Sequence, residues 1–401
     1  MITRILLATL LLTPALPRAA TWSGGGDGAS WDDPGNWVGG SPPGADDPVW
    51  EIGEGSTVNL EGAAPGGWII KRGGGELRVG SDLGATASVE VEGGKLAWTG
   101  PLAIGHLGLA GGIATGGPLA VDLLTVSAGE FNDLNQLGDL TAGVLRVEGG
   151  GATRWSGGGT VGAVEVTGGT LDMDVGWTTA PLLMTGGRIN GGFLHGPATL
   201  TGGVFNSYVT RNLTLAGGEI ELLAATASGG LSLEGGTIRG NLAVAGSINL
   251  ANWSGETELA ASVYLDPLVT LNWMMELPES VPSLRVTGEL VSPWGVGIGF
   301  GLVDWSLPFW DETREFVLVD AWEGGVVSAS FTIDGSGSEG QGLWSQLESA
   351  DGDLVVRWTP TDVAAVPEPG MMGLAWASAA LAAARWRRKV AGRKGRKKRT
   401  G

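Results

Sequence analysis

The sequence predicts an all-β protein built as a parallel β-solenoid, and three observations support this prediction. Glycine accounts for 73 of the 401 residues, against a usual share of about 7%. The pattern apolar-x-apolar-x-Gly-Gly-x-apolar recurs along the chain. Within each copy, apolar and polar residues alternate, as they do in a strand with one buried face. Long helices are disfavoured, because glycine is unfavourable inside a helix.

The repeat has a nearly constant period. The second residues of the successive pairs are Gly94, Gly112, Gly129, Gly150, Gly169, Gly187, Gly203, Gly218 and Gly236, with a mean step of 17.75 residues. A fixed period of this size indicates a solenoid, here with about nine coils that bend where glycine adopts positive φ. A β-sandwich array is the structural alternative. The polar residues expected to point outward are Glu90, Glu92, Lys95, Glu165, Thr167, Arg188, Glu219 and Arg239.

Composition divides the chain into segments. We predict a signal peptide (1–20), a Trp/Gly-rich N-terminal cap (21–69), the Gly-Gly repeat solenoid (70–252), a C-terminal β module (253–359), a linker (360–366) and a sorting signal (367–401). Five Trp lie in residues 22–68 and eight in 253–358, and we expect them to fill the two ends of the solenoid.

The repeats themselves resemble a known class. Clean copies stand at residues 89–96 and 164–171, and Trp22, Trp31, Trp37 and Pro43 mark the segment that precedes them. These features resemble the autotransporter-associated β-strand repeats of secreted bacterial proteins. The resemblance implies an exported chain with a β-helical body.

The N-terminus is expected to direct export. Arg4 precedes an apolar run from Ile5 to Leu16, and small residues follow at Ala19 and Ala20. This order is typical of a secretory signal peptide.

The C-terminus carries the most specific motif. Val366, Pro367, Glu368 and Pro369 precede an apolar stretch at residues 371–384. The basic residues that follow at once are Arg385, Arg387, Arg388 and Lys389. This order resembles the PEP-CTERM sorting signal of Gram-negative bacteria. The resemblance implies an exosortase-type membrane protease as partner and transient anchoring in the inner membrane, with the basic cluster held in the cytoplasm.

Charge narrows the classes of partner. Residues 21–366 contain 12 Lys and Arg against 41 Asp and Glu, a formal charge of −29. Such an acidic body repels nucleic acid and anionic headgroups, so we expect no nucleic-acid partner. The chain has no cysteine, which excludes disulfides and thiolate metal sites.

No catalytic arrangement is predicted. The two histidines, His106 and His195, are 89 residues apart, so a paired-His site is not expected. Carboxylate pairs such as Asp32/Asp33, Asp46/Asp47 and Asp172/Asp174 do not stand out from the acidic background. We therefore predict no catalytic residues, no metal and no cofactor, with Asp27, Asp32 and Asp46 as the positions where a stray Ca²⁺ would bind.

The functional expectation is an exported, non-enzymatic structural or adhesive protein of the cell surface or extracellular matrix. Exopolysaccharide is a further candidate partner. Two alternatives remain open: a polysaccharide-active β-helix enzyme, either a lyase or a glycosidase, and a carbohydrate- or calcium-binding module. Clustered Asp, Glu and Arg in one groove would favour the enzyme, whereas a row of exposed Trp would favour sugar binding.

Overall fold

The computed structural model describes residues 20–361, except 45–48, 54, 62–66, 81–82, 134–139, 156–158, 210, 251–256, 268, 275–282, 302–306, 323–324, 335–340 and 348–351. The predicted sorting residues Val366, Pro367, Glu368, Pro369, Arg385, Arg387, Arg388 and Lys389 and nearly all of the predicted signal peptide therefore lie outside the described residues.

Almost every element is a short strand. The first seventeen are β1 (Ala20–Thr21), β2 (Val49–Ile52), β3 (Thr57–Leu60), β4 (Trp68–Lys71), β5 (Glu76–Val79), β6 (Gly84–Val91), β7 (Lys95–Trp98), β8 (Leu102–Leu109), β9 (Ile113–Gly116), β10 (Leu119–Val126), β11 (Glu130–Asp133), β12 (Leu140–Val147), β13 (Ala152–Trp155), β14 (Gly159–Val166), β15 (Thr170–Thr178), β16 (Leu182–Met184) and β17 (Arg188–Leu194).

The second seventeen strands follow in chain order. They are β18 (Ala198–Leu200), β19 (Gly203–Val209), β20 (Asn212–Leu215), β21 (Glu219–Ala227), β22 (Gly230–Leu233), β23 (Gly236–Val244), β24 (Ile248–Leu250), β25 (Thr257–Leu265), β26 (Thr270–Met274), β27 (Leu284–Val286), β28 (Glu289–Val291), β29 (Val296–Gly301), β30 (Arg314–Ala321), β31 (Val326–Ser328), β32 (Phe331–Ile333), β33 (Gly342–Leu347) and β34 (Leu354–Pro360). Two 3₁₀ helices span Pro34–Asn36 and Pro308–Asp311.

The strands form two long sheets that run side by side along one axis. The first sheet has sixteen strands in the order β1-β2-β4-β6-β8-β10-β12-β14-β16-β18-β20-β22-β24-β26-β29-β32, and the second contains the intervening strands. Consecutive coils pair in parallel throughout, for example Leu124 with Leu145 and Leu145 with Val164. The predicted parallel β-solenoid is confirmed, and the sandwich alternative is excluded for the part of the chain that the structure describes.

Parallel coils extend beyond the repeat region that the glycine pairs marked out. They include the pairings of β1 with β2 and of β2 with β4, and they continue to the pairing of β29 with β32. Outside residues 70–252 the coils bend at other residues, such as Pro293 and Gly295, in place of the paired glycines. Near the C-terminal end, β34 pairs antiparallel with both β30 and β33, and these pairings end the second sheet.

Each coil has three sides, which we number in chain order. In one coil of the first half, side 1 is residues 102–104, side 2 is residues 107–109 and side 3 is β9. The bend between sides 1 and 2 falls at Gly105 and His106, where two consecutive residues stay partly exposed and the alternation of buried residues restarts. The strand β8 therefore continues around this corner.

The continuous corner changes halfway along the stack. In β6, β8, β10, β12 and β14, eight-residue strands run through sides 1 and 2. The odd-numbered strands from β15 to β25 have seven to nine residues and run instead from side 3 into side 1. Side 2 is then a separate strand of three to five residues, for example β16.

One apolar core fills the inside of the coils. Two inward files cover side 2, and their members align through the parallel register. One of them is Ile69, Val89, Leu107, Leu124, Leu145, Val164, Leu182, Ala198, Leu213, Leu231, Ile248, Leu271, Ile298 and Ile333. The eight polar residues expected outside are all partly or fully exposed.

Aromatic residues fill both ends of the stack. At the N-terminal end, Trp22, Trp31 and Trp37 are buried, and the rings of Trp22 and Trp31 lie 5.1 and 4.8 Å from that of Trp37. At the C-terminal end, Trp358 is fully buried and its Nε1 donates to the carbonyl of Trp310 at 2.8 Å. These tryptophans cover apolar coil ends that would otherwise contact water.

Candidate functional site

The outward file of side 1 is the most distinctive surface of the solenoid. Its members are joined rung by rung through the parallel register of β17, β19, β21, β23, β25 and β28. In order they are Phe193, Tyr208, Thr226, Ala243, Tyr264 and Val291. Both tyrosines of the chain belong to this file. Three aromatic residues are thus placed along one line parallel to the solenoid axis.

Alternation along each strand holds these side chains outward. The next residue in each strand points into the core, as Leu194, Val209 and Leu265 do, with at most 1% exposed. Phe193 and Tyr264 consequently expose 41% and 44% of their surface. The inward neighbours anchor the backbone, so the outward rings are presented on rigid strands.

Small side chains between the aromatic ones create a cleft. The rings of Phe193 and Tyr208 meet edge to face, with centroids 5.6 Å apart, and form a ridge. The next two rungs carry Thr226 and Ala243, which line the cleft together with Tyr264 and Val291. Three rungs separate the two tyrosines, about 14 Å at the spacing of β-strands. The cleft has a volume of about 430 Å³, which lies in the range of ligand-binding pockets.

A polar file runs beside the aromatic one. Asn241, Ser262 and Glu289 are paired in register, two residues before Ala243, Tyr264 and Val291 in their strands. All three are exposed and line the same cleft. The cleft therefore has one apolar, aromatic edge and one edge with hydroxyl, amide and carboxylate groups.

A second trough on side 1 provides an internal comparison. Its outward file is Ala103, Ala120, Thr141 and Thr160, from coils of the first half. The trough has a volume of about 420 Å³, close to that of the cleft. Its described lining contains no aromatic residue. The two depressions thus differ in chemistry and not in size.

The histidines and acidic residues considered as catalytic or metal-binding candidates do not form one cluster. His106 lies at the bend within β8, where burial lowers its pKa, whereas His195 follows β17, several coils away. Burial raises the pKa of Glu90, with a further contribution from Glu92. Asp172 accepts a hydrogen bond from Asn190 at 2.7 Å. In the described part of the chain, no three residues of the His, Asp and Glu types form a group able to hold a metal ion.

The acidic residues near the N-terminus have structural partners. Asp27 Oδ1 accepts hydrogen bonds from the amides of Ala29 and Ser30 and from Asn36 Nδ2, and these bonds lower the pKa of Asp27. Asp33 caps the helix Pro34–Asn36 through the amide of Gly35. Of the expected Ca²⁺ positions, Asp32 is exposed and Asp46 lies outside the described residues.

Sequence reasoning missed the cleft. It considered tryptophan as the sugar-binding residue, yet Trp22, Trp31, Trp37, Trp310 and Trp358 are buried in the ends of the stack. A detectable signal existed, because Phe193 and Tyr208 are separated by about one repeat, and Tyr208 and Tyr264 by about three.

Comparison with protein-family models, with curated proteins and with solved structures gave no match. Among the residues described, no helix has the length and hydrophobicity needed to span a bilayer.

Proposed function

We propose that this protein is an exported structural or adhesive component of the cell surface or extracellular matrix. The observation that carries the proposal is the continuous parallel stack from Val49 to Ile333, which makes the body a stiff scaffold with long files of identical orientation. The signal-like N-terminus and the PEP-CTERM-like C-terminus support export and sorting. An exosortase-type protease is the partner that this arrangement requires.

The acidic surface supports an extracellular role. A charge of −29 over residues 21–366 keeps a glycine-rich body soluble and apart from other acidic polymers. Ion pairs join neighbouring coils across this surface. Arg72, for example, bonds to Glu51 at 2.9 Å and to Glu92 at 2.7 Å, and these residues belong to three successive coils.

Fractionation of the native host tests the proposal. We expect the protein in the surface or extracellular fraction, and mass spectrometry of its C-terminus should find no residue beyond Pro369 in the mature form. Retention of residues 371–401 in extracellular material contradicts the sorting step. A purely cytoplasmic location contradicts the whole proposal.

A polysaccharide-active enzyme is the alternative, and one observation bears on it. Of the described residues that line the cleft, Glu289 alone is acidic, whereas most glycosidases use two carboxyl groups. The assay is incubation of the purified protein with the host's extracellular polysaccharide, followed by chain-length analysis. Shortening of the polymer would favour the enzyme.

A further inference from the structure

We propose that the cleft lined by Thr226, Ala243, Tyr264 and Val291 binds a neutral polysaccharide chain that lies along the solenoid axis. This inference rests on the proposed function, because an exported matrix protein meets such polymers. It names the ligand class and the site, neither of which the fold itself specifies.

The exposed rings are the first part of the argument. Exposed tyrosine offers a flat apolar face and a hydroxyl group. The C–H faces of sugar rings are apolar, so they stack on such a surface. Tyr264 is exposed although its neighbour Leu265 is completely buried, which shows that the strand itself is well packed.

The polar file supplies the second part. Asn241, Ser262 and Glu289 lie along the opposite edge of the cleft, one per rung. Amide, hydroxyl and carboxylate groups bond to the hydroxyl groups around the rim of a sugar ring. A ligand with apolar faces and a polar rim matches a cleft with an aromatic edge and a polar edge.

Shape gives the direction of the ligand. The cleft spans four consecutive rungs, because its lining residues Thr226, Ala243, Tyr264 and Val291 differ by single steps along the axis. A linear polymer occupies such a groove over several rungs. A compact small molecule would contact only part of it.

Charge selects among polysaccharides. Glu289 lines the cleft, and the body around it carries a net charge of −29. An anionic chain of uronic acids or sulfated sugars would be repelled from this surface. The cleft therefore favours a neutral chain.

Affinity electrophoresis of the purified full-length protein tests this inference. The gels contain a neutral β-glucan, a neutral mannan or, as the anionic comparison, alginate. We expect retardation by at least one neutral polymer and none by alginate. Absence of retardation by both neutral polymers and by the host's own neutral extracellular polysaccharide overturns the proposal, as does retardation by alginate alone.

Point variants locate the site. Tyr264→Ala should weaken binding about tenfold or more, as truncation of a central aromatic contact does, whereas Tyr264→Phe keeps the ring and should retain most of the affinity. Ala243→Leu fills the floor without removing an aromatic residue and should also weaken binding. Trp68→Ala is the control, because Trp68 is 45% exposed but belongs to the first sheet, outside the cleft. Equal loss in Trp68→Ala and Tyr264→Ala overturns the assignment.

Self-association is the competing outcome. If light scattering shows a dimer that Tyr264→Ala abolishes, and neutral polymers do not dissociate it, the face is an interface between copies and the proposal is wrong. Failure of sugar binding leaves the fractionation result untouched, so the two proposals fail separately.

Discussion

Lys71 is the residue most out of place in its surroundings. It occupies the inward file that contains Ile52, Val91 and Leu109 in neighbouring coils, and its side chain is completely buried. Its Nζ donates to the carbonyls of Arg72 and Gly73 at 2.6 and 3.1 Å. The ammonium group thus binds corner carbonyls from inside the core, while desolvation lowers its pKa.

Lys71→Met is predicted to change the pH dependence of stability. The Lys71 amino group binds its proton more tightly in the unfolded chain than in the folded chain. The free energy of unfolding of the wild type therefore rises as pH increases toward the unfolded pKa near 10.5. The wild type should therefore gain stability relative to the variant between pH 7 and pH 10.5. Denaturant titrations of both proteins at several pH values measure this difference, and a constant or opposite trend contradicts the prediction.

Several residue-level features were predictable from the sequence and others were not. The alternation around Val89 and Val164 identified the core files, and the glycine pairs identified the bends. Positive φ occurs at the second glycine of most pairs, including Gly94 and Gly187. In one coil it falls on Gly149 and not on Gly150, because three successive glycines leave the position of the bend open.

At the scale of the element, each coil bends through a corner where chains from adjacent coils nearly touch. Gly169 has φ +66°, and a Cβ atom there would lie 2.2 Å from the carbonyl oxygen of Gly151. The same oxygen accepts a hydrogen bond from the amide of Thr170 at 2.8 Å. Conformation and close stacking therefore both require glycine at this corner.

Gly169→Ala is predicted to destabilise the corner by more than about 1 kcal/mol, from the left-handed conformation alone. The Thr170 amide should lose protection against hydrogen exchange. Gly150→Ala is the matched control, because Gly150 has no positive φ and a Cβ there has no atom within 4 Å. Its effect should stay within about 0.5 kcal/mol. Equal effects of the two substitutions would contradict this account.

The N-terminal cap depends on one amide side chain. Asn36 is fully buried, and its Oδ1 accepts from the amides of Gly26 and Gly28, both at 2.9 Å. Its Nδ2 donates to Asp27 Oδ1 and to the carbonyl of Ser30. All four hydrogen-bonding positions of the side chain are thereby used.

Asn36→Ala is predicted to destabilise the cap by about 2 kcal/mol or more, because it removes four hydrogen bonds and leaves a void at a fully buried position. Hydrogen exchange at Gly26 and Gly28 should accelerate before the coils themselves open. Asp32→Ala alters an exposed neighbour and should leave these rates unchanged. Unchanged exchange in Asn36→Ala would show that the cap does not depend on this residue.

At the scale of the whole molecule, each coil contacts mainly the coils above and below it. A solenoid of this kind should tolerate removal of one complete turn. Residues 182–197 form such a turn, since Leu182 pairs with Ala198 and Arg188 with Val204 in the next coil. After their deletion, Ala198 and Leu200 take the places of Leu182 and Met184 against Val164 and Val166.

Deletion of residues 182–197 should give a folded protein shorter by about 5 Å. Small-angle scattering measures the length, and circular dichroism should keep its β signature. Deletion of residues 182–189 is the control, because it removes side 2 and half of side 3 and leaves the rest of the coil, so the register is lost. Unfolding by the complete-turn deletion, or tolerance of the partial one, would contradict modular stacking.

The molecular scale also explains why the cleft was not predictable. The period of the glycine pairs predicts the number of residues in one coil. It does not predict at which corner a strand continues from one side of the coil into the next. The continuous corner changes after Val166. Tyr208 and Tyr264 share one file through the register of the strands that follow this change, and the glycine spacing alone does not predict that register.

The direction of the hydrogen-bond ladder between coils has a mechanical consequence. Its hydrogen bonds lie nearly along the axis, so a pull on the two ends of the rod strains one rung at a time instead of shearing many together. Each coil that peels away would release about 18 residues of chain, roughly 60 Å of extension. A solenoid that unfolds one coil at a time extends in small steps under force and absorbs mechanical work before the whole protein unfolds.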